Sequence, residues 1–172
     1  MGEVTYSFNE KSYMPREYPM HNLIASVQTD VMAPTDKFMP TDKDNVFSSF
    51  KVTKVDQMMY FNNLKLTYQK EWEGGFRLEG AFKRERNEPC GALFYQPLDG
   101  ADAPTQDITK HQRYLNTSEV RLGVRYEPGA NYINTKQRRI TTNRDAPVFE
   151  LNHTMGLRGV MAGDYNYNMT EA

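Results

Sequence analysis

The stretch LKLTYQKEWEGGFRLEGAFKR, Leu64 to Arg84, decides the fold. On its first arm Leu64, Leu66, Tyr68 and Trp72 share one parity, with Lys70 the exception, and Lys65, Thr67, Gln69 and Glu71 share the other. The second arm repeats this, with Phe76, Leu78, Gly80 and Phe82 against Arg77, Glu79, Ala81 and Lys83. A repeat of two is the period of a strand with two unlike faces. Two such arms around Glu73-Gly74-Gly75 predict a β-hairpin.

Parity also sets the register. The apolar positions are even on both arms, so they share a face only if even residues oppose even ones, and that excludes a two-residue loop. A three-residue loop, Glu73 to Gly75, meets the condition, and Gly75 supplies the left-handed residue with which such loops commonly end. Trp72 then faces Phe76, Leu66 faces Phe82, Glu71 faces Arg77, and Tyr68 covers Gly80. Lys65 opposite Lys83 is unfavourable unless Glu85 or a neighbouring strand brings an anion.

Working outward, Val4, Tyr6 and Phe8 alternate with polar residues in a short first strand, and HNLIASVQTDV carries Leu23, Ala25 and Val27 on one face, with Ile24 breaking the pattern. The hairpin extends back through Met58 to Phe61. EVRLGVRYE sets Val120, Leu122, Val124 and Tyr126 against Arg121, Gly123, Arg125 and Glu127. PVFELNHTMGLRG places Phe149, Leu151, His153, Met155 and Leu157 together, and after a turn at Gly163-Asp164 the chain enters YNYNMTEA as a seventh strand. Long polar, proline-punctuated connections are expected at about 31–57 and 87–117, the first with a possible short strand in VFSSFKV.

The expected fold is therefore all-β, an antiparallel up-and-down meander of about six or seven strands. Connections one, three and five are the shorter ones and two and four the long ones, and outer-membrane barrels alternate short turns and long loops in this way. Leu64 to Trp72, at about 3.3 Å per residue and a tilt near 40°, spans roughly 20 Å along a membrane normal, close to the apolar band of such barrels. Trp72 and Phe76 form a membrane-interface girdle with Tyr60 at the far edge, and Lys70 lies close enough to the turn to snorkel. The charged parity, Glu71, Arg77, Glu79, Lys83, Arg121 and Arg125, becomes a lumen-facing ladder, either an ion-paired plug or the lining of a polar path. A soluble antiparallel sandwich acting as a binding module shows the same alternation and stands as the alternative. The long first arm and the complementary charges of the polar face favour the barrel.

Composition agrees with half-buried strands. Of 172 residues 38% are hydrophobic and 12% aromatic, with mean hydropathy −0.76, too aromatic and too regularly alternating for a disordered chain. A net charge of −1 offers no footprint for nucleic acid. Met1-Gly2-Glu3-Val4 has neither the basic region nor the apolar core of a signal peptide, and no stretch approaches the roughly 18 apolar residues of a membrane helix.

The stretches PTDKFMPTDKDNVFSSFKVTKVDQMMYFNN and APVFELNHTMGLRGVMAGDYNYN resemble the barrel region of a Gram-negative outer-membrane family of unknown function. Full members carry an N-terminal signal and a carboxypeptidase-regulatory-like domain before the barrel. The resemblance implies a bacterial outer-membrane location, the lipid bilayer and the remaining strands of the barrel as partners, and residues 1–172 as a segment excised from a longer chain. Six or seven strands are too few to close a barrel, which needs about eight.

No reaction chemistry stands out, and neither a catalytic residue nor a cofactor is expected. His21, His111 and His153 lie in three separate segments without metal-site spacing. Asp36, Asp42 and Asp44 lack the glycine and terminal glutamate of a calcium loop. Ser48, Ser49 and Ser118 have no spacing that pairs them with a base, although an outer-membrane hydrolase would bring such groups together in space. Cys90 reads as a bystander in a loop with no base beside it, and Lys136, Arg138 and Arg139 read as a solvated turn. The expected role is non-enzymatic, within a receptor, transport or surface assembly.

Overall fold

The computed structural model describes residues 1–9, 17–33, 57–91, 95, 98–99, 103–104, 113–135, 139–143 and 145–172. The strands in chain order are β1 (Gly2–Ser7), β2 (His21–Met32), β3 (Gln57–Glu71), β4 (Phe76–Gly91), β5 (Leu98–Asp99), β6 (Ala103–Pro104), β7 (Leu115–Tyr126), β8 (Tyr132–Asn134), β9 (Arg139–Thr141), β10 (Phe149–Gly156) and β11 (Tyr167–Glu171). Seven of them form one sheet in the order β1-β2-β3-β4-β7-β10-β11, an antiparallel meander, while β5-β6 and β8-β9 are separate two-stranded hairpins. The sheet is open, with β1 and β11 at its edges. The VFSSFKV segment, Asp36, Asp42, Asp44, Ser48, Ser49, His111 and Lys136 to Arg138 lie outside the described residues.

The central turn is the three-residue loop that parity demands. The Trp72 N–H donates to the Phe76 carbonyl at 2.9 Å, the Gly75 N–H closes on the Trp72 carbonyl, and Gly75 has φ +79°. The Gln69 side chain reaches Glu79 at 3.0 Å, as the same register requires. Lys83 finds its anion on the neighbouring strand, Glu119 of β7, at 3.5 Å.

Two boundaries differ from expectation. β4 continues through Asn87 and Pro89 to Gly91, and β7 begins at Leu115, so the second long connection is shorter than 87–117. Polar residues hold this strand end because their polarity is satisfied: Asn87 is 2% exposed and its amide donates to Glu85 at 2.8 Å. Cys90 accordingly lies in β4, half-buried, and not in a loop.

The chain divides into two compact units. One comprises residues 1–27, 64–84 and 117–172, and the other 28–63 and 85–116. In the second, Met59 and Phe61 of β3 are buried with Ala33, the Tyr95 hydroxyl approaches the Met59 sulfur at 3.8 Å, and Arg86 stacks over the Tyr114 ring at 4.4 Å.

The first unit is arranged as two unlike faces. β1 pairs β2 with Val4 opposite Ala25 and Tyr6 opposite Leu23, and β7 pairs β10 with Tyr126 opposite Phe149, Val124 opposite Leu151 and Leu122 opposite His153. Opposed residues share a face, so the apolar parity of each strand meets that of the next. Ile24, the break in the pattern, lies opposite Thr5 on the polar face. Burial runs opposite to that of a water-soluble sheet. Val4, Tyr6, Val27, Leu64, Leu66, Leu122, Phe149 and Leu151 are exposed, whereas Asn22, Thr67, Glu71, Glu127 and Thr154 are buried.

Candidate functional site

One end of the first unit carries the first and fifth connections and the Glu73–Gly75 turn, and there the apolar face ends in aromatic residues. Trp72 opposes Phe76 across the turn, with ring centroids 5.3 Å apart. The Glu127 N–H donates to the Gly75 carbonyl at 2.8 Å, a register that sets Phe76 beside Tyr126, which in turn opposes Phe149. Four successive strands therefore close in a row of aromatics, Trp72, Phe76, Tyr126 and Phe149. Lys70 lies over the Trp72 ring at 5.0 Å, and Phe8 stacks on His21 at 4.7 Å while His21 Nε2 meets the Tyr68 hydroxyl at 2.9 Å.

On the opposite face at the same end the predicted ladder residues are assembled in rows. The register sets Glu71, Arg77, Arg125 and Glu150 across β3, β4, β7 and β10. Arg77 and Arg125 face each other as like charges, and each takes a carboxylate two residues on in sequence: Arg77 with Glu79 at 2.9 Å, Arg125 with Glu127, just past the end of β7, at 3.0 Å. Glu71, expected opposite Arg77, directs its carboxylate elsewhere. The next row sets Gln69, Glu79, Gly123 and Asn152 together, and a Cβ on Gly123 would lie 2.7 Å from the Asn152 amide oxygen. Arg121 stands opposite Thr154, beside a groove lined also by Arg77, Glu79, Arg125, Glu150 and Asn152.

The centre of the cluster is Glu71. Its side chain is 5% exposed and its Oε2 accepts from Arg139 Nη1 at 2.7 Å and from the Met20 N–H at 3.1 Å. The Arg139 guanidinium stacks over Tyr132 at 4.0 Å and lies 5.6 Å from the ring of Tyr18, and the two tyrosine rings are 4.6 Å apart. The Tyr132 hydroxyl donates to Glu127 at 3.0 Å and that of Tyr18 to the Trp72 carbonyl at 3.1 Å. Asn134 accepts from the Tyr18 N–H at 3.0 Å and donates to the Tyr18 carbonyl at 2.8 Å. Burial raises the Tyr18 hydroxyl pKa, with Glu71 and Glu73 adding to the effect against Arg139. Burial and the bond to Glu127 raise that of Tyr132.

The family model described as "Family of unknown function (DUF5686) C-terminal domain" matches residues 43–172. The chain belongs to the DUF5686 family. Neither a curated protein nor a solved structure matches it. The region shared with DUF5686 includes Glu71, Glu127, Tyr132 and Arg139, whereas Tyr18 precedes it.

In this DUF5686 chain the remaining candidates sit apart from one another. His153 Nδ1 meets the Thr170 hydroxyl at 2.8 Å across β10 and β11. Ser118 is buried in β7, where its carbonyl accepts the Leu157 N–H. Among the described residues no group of three or more His, Cys, Asp or Glu is placed to hold a metal. Arg139, expected in a solvated turn, opens β9 and is the cation paired with Glu71 at the centre of the cluster. Sequence reasoning also missed Tyr18 and Tyr132, whose partners lie on other strands. The signal available was Glu71 itself, a carboxylate at the end of an amphipathic strand that needs a buried cation or donors.

Proposed function

We propose that this chain is part of an outer-membrane β-barrel, a non-enzymatic element of a receptor, transport or surface assembly, with the lipid bilayer as the partner of its apolar face. The observation that carries this reading is the inverted burial of the first unit. Leucines and valines across the strands of the first unit, exemplified by Leu122 of β7 and Leu151 of the adjacent β10, lie on an exposed face, while Thr67, Glu71 and Thr154 are buried on the polar one. In water, burial of apolar area stabilises by roughly 25 cal/mol per Å², so an exposed sheet face of this kind forgoes its main driving force. In lipid the same face is satisfied, and alternation of apolar-out with polar-in is the pattern of membrane strands.

The row Trp72, Phe76, Tyr126 and Phe149 supports the same reading, because aromatic rings gather where hydrocarbon meets headgroups, and Lys70 reaches from that row as a snorkelling cation does. The charged ladder then faces the barrel interior. Closure requires strands beyond the seven of this sheet or pairing of its open edges. We take a carboxypeptidase-regulatory-like domain upstream as the companion that the family resemblance implies.

The test is flotation of the full-length protein with phospholipid vesicles, combined with electrophoresis of unheated samples. Co-flotation that resists carbonate washing and a heat-sensitive shift in mobility are expected. A monomeric, cooperatively folded protein that needs no detergent and leaves the vesicles behind would establish the soluble binding module instead.

A further inference from the structure

The geometry points to a second role for the Glu71–Arg139 cluster: we propose that the β8-β9 hairpin is a closure of the polar interior at the short-connection end, held shut by Arg139 and opened by its release. The proposal rests on the barrel reading above. Three observations carry it.

The hairpin belongs to neither neighbour of the seven-stranded sheet. It pairs only within itself, Tyr132 with Thr141, Ile133 with Ile140 and Asn134 with Arg139. Side chains tie it to the sheet and to the first connection: Arg139 to Glu71, Tyr132 to Glu127, and Asn134 to the Tyr18 backbone. Its displacement would break no strand pairing of the seven-stranded sheet.

The links converge on the polar face and leave the apolar one. A cleft there is lined by Tyr18, Glu71, Arg77, Arg125, Tyr132 and Arg139, and the hairpin and the first connection both stand on the Glu71 carboxylate. A solute leaving the interior at this end would meet the stacked pair Tyr18 and Tyr132 with Arg139 beside it. Gly129, at φ +76°, precedes the hairpin, and the Asn143 amide after it donates to the Gly129 carbonyl at 3.2 Å. The two stems are thereby fastened to each other at a residue suited to a hinge.

The latch has the chemistry of a switchable contact. A carboxylate that is largely buried requires its cation, and loss of that pair removes the charge-assisted link between the hairpin and β3, leaving the hydrogen bonds of Tyr132 and Asn134 to hold it. Small polar solutes are the class that the lining admits, since it offers guanidinium, carboxylate and phenol groups.

The experiment is swelling of liposomes carrying the full-length protein in an iso-osmotic neutral sugar, for the wild type, Arg139→Gln, Tyr132→Leu, and the charge exchange Glu71→Arg with Arg139→Glu. Swelling several-fold faster than wild type is expected for both single-site variants, and a return toward the wild-type rate for the exchange. Should Arg139→Gln fail to fold, Tyr132→Leu carries the same expectation. Variants that float with the vesicles, keep the heat-dependent mobility and swell no faster than wild type overturn the closure and leave the barrel reading standing. Wild-type protein that never enters the vesicles overturns both.

Discussion

Arg139 Nη1 lies 2.7 Å from Glu71 Oε2, and this single pair joins the fifth connection to the end of β3 across 68 positions of sequence. The carboxylate is the more buried partner, 5% exposed against 22% for the guanidinium, so the two do not contribute symmetrically. Removing the arginine strands a desolvated anion, whereas neutralising the glutamate leaves a cation that water still reaches. Arg139→Gln is expected to cost about 3 kcal/mol, toward the lower end for breaking a buried pair because the Met20 N–H continues to donate to Glu71. Glu71→Gln is expected to cost clearly less. Denaturant unfolding in detergent micelles measures both, and equal losses would contradict the assigned asymmetry.

Gly75→Ala tests the central turn. The residue has φ +79°, and a Cβ there would lie 2.1 Å from the Glu127 carbonyl oxygen, which is backbone and cannot step aside. The substitution should cost more than the roughly 1 kcal/mol of left-handed strain, because it also pushes β7 away from the hairpin. Thermal unfolding gives the magnitude, and Gly74→Ala, where a Cβ meets nothing within 4 Å, is the control expected to be mild.

The hairpin around Gly75 was legible in the sequence because its two faces alternate with Lys70 as the one exception on the first arm, and a three-residue loop reconciles them. The same logic located β7 and β10, whose paired residues Tyr126 and Phe149 meet as their parity requires. Three-residue strands carry no such period, which is why β8 and β9, with Arg139 among basic and polar neighbours, read as a turn. The contact of Tyr18 with Trp72, Asn134 and Tyr132 depends on how two connections fold back, which no local pattern encodes. The extension of β4 past Arg86 was hidden for a different reason: Asn87, Glu88 and Pro89 are residues that ordinarily end strands.

Alkaline pH should loosen the tyrosine cluster. Both Tyr18 and Tyr132 have their hydroxyl pKa raised, chiefly by burial, above the usual value of about 10. Unfolded chain then loses these protons first, so their contribution is fully present below about pH 10 and declines as pH rises through the higher folded values. A spectrophotometric phenol titration should show late-ionising tyrosines, and Tyr18→Phe with Tyr132→Phe should shrink that late fraction while leaving Tyr95, whose hydroxyl pKa is also raised by burial, within it. Titration of every tyrosine at the free value would contradict the cluster.

A charge placed on each face distinguishes lipid from water. Leu122, 49% exposed on the apolar face, and Arg121 on the polar face are adjacent in sequence. Leu122→Arg should destabilise the inserted protein by about 2–4 kcal/mol if its site lies near the bilayer midplane. On a face bathed in water the change would fall within about 0.5 kcal/mol. Arg121→Leu should leave insertion intact. Refolding yield into vesicles against urea reads both substitutions.

The apolar face meets lipid or it does not, and Trp72, the single tryptophan of the chain, sits where the answer can be read. It is 39% exposed and borders Phe76 at the end of the apolar face. The direct measurement is quenching of its fluorescence in vesicles whose acyl chains carry bromine at a shallow or a deep position. Strong quenching by the shallow label, weaker quenching by the deep one and a blue shift on insertion are expected of a residue in the aromatic row at the interface. Fluorescence that ignores both brominated lipids and yields freely to aqueous iodide would contradict the membrane assignment of this face.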